Sequence, residues 1–265
     1  MNDQQIQPQN HEPKDVPRAE IPLPSQGLIY PPEHPLHNKD TVFIRMMTVR
    51  DEDLLSSEPL IRSRRAIDEF IKSALGGNVD ASSLCMGDRE AIMFAFRATG
   101  YGTDYDAKVT CPNCSDTFKY TFDLDGMNIK QLGAPPVVPF TNLFEIPEPL
   151  PDLGKTVQFS ILTGASEREI TDTISAMSKK AKHAVTPEVS LRLFYQIQKI
   201  GNEKDRGKIR NIVDNMSARD GRFLRGHINN ISPKVDTKRQ MNCPSCGETE
   251  EVALPIDVTF FFPED

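Results

Sequence analysis

The sequence predicts an α+β fold of mixed helices and short antiparallel hairpins, on three observations. Two Cys-Pro-x-Cys pairs, Cys111-Pro112-Asn113-Cys114 and Cys243-Pro244-Ser245-Cys246, stand far apart in the chain. Residues flanking each pair alternate apolar and polar at period two, as strands do on either side of a tight turn. Between the pairs run apolar stripes at helical spacing, with capping signals at their starts. Four thiolates on two such turns suffice to close a tetrahedral metal site. The expected architecture is therefore a split four-cysteine, zinc-ribbon-like site built by hairpins, with a helical insertion between its two knuckles.

Residues 1–24 are rich in Gln, Asn, Pro and charge, so a disordered or extended N-terminal arm is expected. Ile21-Pro22-Leu23-Pro24 suits an extended piece lying along a groove, which makes Leu23 a candidate partner-docking residue. Residues 25–124 form an N-terminal α/β part that carries the first knuckle. Val42 to Met46 reads as a short strand, and a helix is expected near 51–56. A second helix runs from Arg62 to Leu75, with Ile67, Phe70, Ile71 and Ala74 on one face and Gly76-Gly77 as its stop. Residues 88–98 are apolar almost all round, which predicts a central, buried helix ended by Gly100. Cys85, just before it, is expected as a small buried apolar residue. Tyr105–Val109 and Phe118–Phe122 supply the strands of the first hairpin.

Residues 125–154 are proline-rich and read as a linker or strap into an inserted, mainly helical subdomain over 155–236. That insertion opens with a strand at Thr156–Leu162. A capping box at Ser166–Glu169 predicts a helix carrying Ile170, Ile174, Met177 and Ala181. Thr186-Pro187 opens another, with Leu193, Ile197 and Ile200 as its stripe. Ser217–Asp220 begins a third, reaching about Ile231. Residues 237–265 hold the second knuckle and a Phe-rich C-terminal strand. In that strand Phe260, Phe261 and Phe262 are candidate partner-docking residues, because three successive rings are hard to bury in one small domain.

The cysteine pairs admit rival readings. Disulfides are disfavoured, because no secretory signal is expected at the start of the chain and the protein is not a small cysteine-dense domain. A thioredoxin-type pair enters a helix, whereas these enter strands. Closing the long loop between the pairs costs about 4 kcal/mol plus a constant, and structural zinc supplies about 10–16 kcal/mol in small peptides. Metal binding wins. Zinc on Cys111, Cys114, Cys243 and Cys246 is the expected cofactor, with an iron centre as the secondary alternative. Four thiolates leave no open position for water, so the metal would be structural.

Composition narrows the function. A net charge of −7 and a pI near 5.4 argue against general nucleic-acid affinity. No apolar run is long enough to span a membrane, so a soluble protein of a reducing compartment is expected. The chain has neither a G-x-x-x-x-G-K-[ST] phosphate cradle nor a His-Glu-x-x-His or Gly-x-Ser-x-Gly motif. Asp123-x-Asp125-Gly126 fails as a calcium loop, because the twelfth position is Ala134 rather than Glu. No catalytic set emerges, and the expectation is a protein that is not an enzyme.

The order of features resembles the phage T4-like baseplate protein family over about residues 22 to 263. The motifs are Leu23-Pro24-Ser25-x-Gly27, Asp88-Arg89, and Arg97-Ala98-x-Gly100-Tyr101-Gly102-x-Asp104-Tyr105, followed by Asp123-Leu124, Cys243/Cys246 and Phe260-Phe261-Phe262-Pro263. The resemblance implies a tail baseplate hub component or hub assembly factor of a contractile-tailed phage. Its implied partners are other tail and baseplate hub proteins. It would act in the host cytoplasm during assembly or within the virion tail. The alternative is a zinc-ribbon nucleic-acid-binding regulator, which Glu248, Glu250 and Glu251 beside the second knuckle disfavour.

Overall fold

The structure is a computed structural model that describes residues 17–180, 186–256 and 260. Two strands open it, β1 (Arg18–Pro22) and β2 (Thr41–Arg45), paired antiparallel with Arg18 opposite Arg45. Part of the expected arm is thus a strand of the body, and residues 1–16 lie outside the described residues. Helices α1 (Val49–Ser56), α2 (Glu58–Arg62) and α3 (Ala66–Ala74) follow. The single helix expected over Arg62–Leu75 is broken at Arg64, whose φ of 57° is left-handed and ends one helix before the next begins. Gly76 and Gly77 stop α3 with positive φ, as the sequence predicts.

Helix α4 (Met86–Tyr101) is the central buried element. Phe94 and Phe96 lie inside, and Phe96 packs on Phe70 of α3 with ring centroids 4.7 Å apart. Strands β3 (Asp104–Thr110) and β4 (Thr117–Asp123) make the first hairpin in unbroken register. β5 (Asn128–Lys130) and β6 (Phe144–Glu145) punctuate the proline-rich stretch, and β7 (Val157–Phe159) pairs with β6.

Helix α5 (Gly164–Lys180) starts ahead of the expected capping box. The reciprocal bonds run instead between Thr163 and Ser166, each side chain taking the other's backbone N–H at 3.4 Å. Helix α6 (Glu188–Gln196) stops before the expected stripe is complete: Ile197–Ile200 is strand β8, paired on β7. Pairing sets Ile200 opposite Val157 and buries Ile197 and Ile200 fully, which outweighs the helical spacing. Helix α7 (Arg206–Asp214), absent from the sequence expectation, is capped by Asp205, whose side chain accepts from Lys208 N–H at 2.9 Å.

Helix α8 (Ala218–Ile231) begins at Ser217 as expected. Asp220 does not complete the box. Its carboxylate accepts the N–H groups of Asp152 and Leu153 at 2.8 and 3.0 Å and anchors the proline-rich strap. Strand β9 (Lys234–Asp236) pairs with β5, and β10 (Lys238–Asn242) with β11 (Thr249–Ala253) forms the second hairpin. β11 ends at Ala253, and one further bond, Leu254 N–H to Thr237 O at 2.9 Å, carries the pairing just past it. One core cluster joins residues from Ile21 to Phe260 around α4, and a smaller one of Leu162, Ile170 and Leu191 lies beside it. Among the described residues, no helix is long and apolar enough to cross a membrane.

Candidate metal centre

The two hairpins turn on matching knuckles. Thr110 stands opposite Thr117 at the base of the first, and Asn242 opposite Thr249 at the base of the second. In the first, Cys111 N–H donates to Asp116 O at 2.8 Å and Ser115 N–H to Cys111 O at 2.9 Å. In the second, Cys243 N–H donates to Glu248 O and Gly247 N–H to Cys243 O, both at 2.9 Å. Ser115 and Gly247, at the same place in each turn, both have positive φ, 61° and 73°. The leading cysteines Cys111 and Cys243 are buried, and the trailing Cys114 and Cys246 are exposed.

The knuckles meet. The four Sγ atoms all lie within 4.8 Å of one another, with Cys111–Cys246 at 3.9 Å and Cys114–Cys243 at 3.6 Å. Metal–sulfur bonds of about 2.3 Å in a tetrahedron put sulfurs about 3.8 Å apart, so Cys111–Cys246 and Cys114–Cys243 already have the spacing of a single ion's ligands, and the widest separations would close by about 1 Å on binding. All five cysteines are free thiols, and these four could hold a metal ion. Cross-links between the tips fix the geometry: Asn113 Nδ2 donates to Cys246 Sγ at 3.7 Å, and Ser245 Oγ donates to Asp116.

The electrostatics also suit a cation. The Glu248 backbone N–H and the Asn113 amide bring the Cys246 thiol down to about 7. At Cys114 the Asp116 N–H likewise favours the thiolate, but desolvation and the sulfurs of Cys243, Cys111 and Cys246 outweigh it and push the thiol up to about 12. Four like charges cannot share this volume, and a bound cation would resolve the conflict.

The other candidate residues lie elsewhere. Leu23 is only 1% exposed and Phe260 is 0% exposed, so the chain's own core occupies the two docking residues that the structure describes. Phe261 and Phe262 lie outside the described residues. Leu23, just past the end of β1 and held by its N–H bond to Asp40 O at 2.7 Å, joins the central core with Ile21. Phe260 sits edge-on to Phe94 and Tyr105, with centroids 5.3 and 5.2 Å away. The Arg97 guanidinium holds it there, donating to Phe260 O at 3.1 Å and to Gly102 O and Asp104 O at 2.8 and 3.2 Å.

A second buried cluster has no signature in local sequence spacing. Ser25 N–H, Ser25 Oγ and Tyr30 OH all donate to the Asp88 carboxylate, at 2.8, 2.5 and 2.6 Å. Burial pushes the Asp88 carboxyl upward against those donors. Cys85 lies beside it, fully buried as expected, with Tyr30 OH 3.7 Å from its sulfur. Gly27 allows the turn: its φ is +67°, and a Cβ there would sit 2.4 Å from Leu36 O. Sequence motifs far apart therefore meet in space, Ser25 with Asp88 and Arg97 with Phe260.

Fold and site together define a mixed α+β protein whose paired hairpins bring four cysteines to one point. The chain belongs to the phage T4 baseplate protein family: the family described as T4 bacteriophage base plate protein matches residues 30–262. It is thus a component of a phage baseplate. No curated protein and no solved structure matches the chain.

Proposed function

We propose that this baseplate protein is a non-enzymatic tail hub component or hub assembly factor of a contractile-tailed phage. It works through contacts with other tail proteins and carries one structural zinc ion on Cys111, Cys114, Cys243 and Cys246. The observation that carries the metal reading is the convergence of four sulfurs within 4.8 Å from two separate hairpins. Bound there, zinc would supply a cross-link between the hairpins and no chemistry, since four thiolates leave no open coordination position. Acidic Asp116, Glu248, Glu250 and Glu251 around the knuckles disfavour nucleic acid as the partner.

The test has two arms. Elemental analysis of the purified chain should give about one zinc per chain, and Cys114→Ser or Cys246→Ser should lower that content together with the melting temperature. Iron in place of zinc would change the ion, and metal-free protein of unchanged stability would end the metal reading. Mass spectrometry of purified tails and of assembly intermediates should find the chain in at least one of them; absence from both would overturn the hub reading.

A further inference from the structure

Among the described residues, strand β2 has one edge unpaired beside an open groove. Its bonded partners on β1 follow from the ends of the ladder, where Met46 N–H donates to Pro17 O and Leu23 N–H to Asp40 O. Antiparallel pairing alternates bonded and non-bonded positions, so Val42 and Ile44 point their backbone groups at β1. Thr41, Phe43 and Arg45 point theirs the other way. The same parity puts Pro22 at a non-bonded position, where its missing N–H costs the ladder nothing.

Arg45's end of the edge is covered, because its guanidinium donates to Ser73 O at 3.0 Å on α3. Thr41 and Phe43 are not covered. Among the described residues, neither the N–H nor the carbonyl of either has a partner on that side. Phe43 is 58% exposed. Beside it lies a groove of about 500 Å³ lined by the 35–40 segment, including Lys39 and Asp40, by residues 41–43, and by Leu75, Asn78 and Val79. The outer edge of β1, by contrast, is blunted by Pro22 and the charged Glu20 and Arg18.

We infer that the outer edge of β2 is a β-augmentation site that takes an extended segment of another tail protein as a third strand. Exposed donors and acceptors at strand spacing are met by water in the free chain and, in register, by an added strand, whose alternate side chains the groove beside them takes. The mixed walls, Leu36, Leu75 and Val79 with Asn78, Lys39 and Asp40, fit an apolar residue flanked by polar or charged ones. The chain's own first sixteen residues are a poor occupant: Pro8, Pro13 and a run of Gln and Asn give little strand propensity. The identity of the partner as a tail protein rests on the hub reading above; the strand-pairing mode does not.

Replacing Phe43 with a photoreactive benzoylphenylalanine during infection, followed by peptide mapping, tests both. A cross-link to one short extended stretch of a tail protein is the expected result. Cross-linking to residues 1–16, to a second copy, or to nothing would overturn the proposal. Cross-linking to a similar stretch of a protein outside the tail would keep the pairing mode and sink the hub reading. Phe43→Pro removes only an outward N–H and leaves the bonds to β1 in place, so it should abolish the partner complex with little change in melting temperature. Should Phe43→Pro not fold, amide exchange at Phe43 decides: fast in the free chain and slowed at least tenfold in the complex is expected, and equal rates would refute strand addition.

Discussion

Ser115 and Gly247 hold the same place in the two knuckles, yet only one is a glycine. A left-handed backbone costs an L-residue roughly 1–2 kcal/mol, and glycine returns part of that gain as chain entropy. Ser115→Gly should therefore raise stability by about 0.5 kcal/mol, and Gly247→Ala should lower it by about 1 kcal/mol. A Cβ at Gly247 meets nothing within 4 Å, so the second cost is conformational alone. Urea unfolding of both variants with the centre loaded measures the pair; changes of the same sign would contradict the argument. The sequence shows the sulfurs and the glycine plainly, because their spacing is local. The positive φ at Ser115 and the Asn113 bond to Cys246 depend on how the two tips meet, which local spacing does not encode.

At the scale of elements, helix α4 and strand β9 press together so closely that a Cβ at Gly87 would sit 2.3 Å from Pro233 O. Glu90 is caught in this seam, where burial lifts its carboxyl from 4.5 to about 7 despite a bond from Val235 N–H and the charge of Lys234. A raised folded-state value favours the protonated form, so the contribution is full below about 4.5 and is lost as pH rises through about 7. Glu90→Gln should flatten that decline, which melting curves between pH 4 and pH 8 would reveal; an unchanged slope would exclude Glu90 as its source. The elements read best from the sequence were those with strong period and unambiguous ends, namely α4, α8 and both knuckle hairpins. Ile197 and Ile200 misled, because their spacing fits a helix while the open edge of β7 claims them as a strand. Helix α7 has its signals in Asp205, Ile209 and Val213, its cap and its apolar side, but they are spread over a short polar stretch.

On the scale of the whole molecule, Arg97 joins parts of the chain that sequence order keeps apart. Its guanidinium serves three carbonyls and lies 5.2 Å from the Tyr105 ring centroid and 5.7 Å from that of Phe260. Arg97→Leu leaves those carbonyls without their donor and should cost about 3 kcal/mol or more. Hydrogen exchange at Tyr105 and Phe260 should rise in step; a loss of stability with Phe260 still protected would mean that the rings alone hold it. The docking role expected for Leu23 and Phe260 is not compatible with this packing, because the interior already uses both. The hairpins have a consequence for biosynthesis. Cys243 follows Cys114 by 129 positions, and ribosomes add about 5–20 residues per second, so roughly 6 to 26 seconds separate their emergence. Throughout that interval the nascent polypeptide carries two of the four clustered cysteines without their counterparts, and those thiols must stay reduced until the second pair arrives.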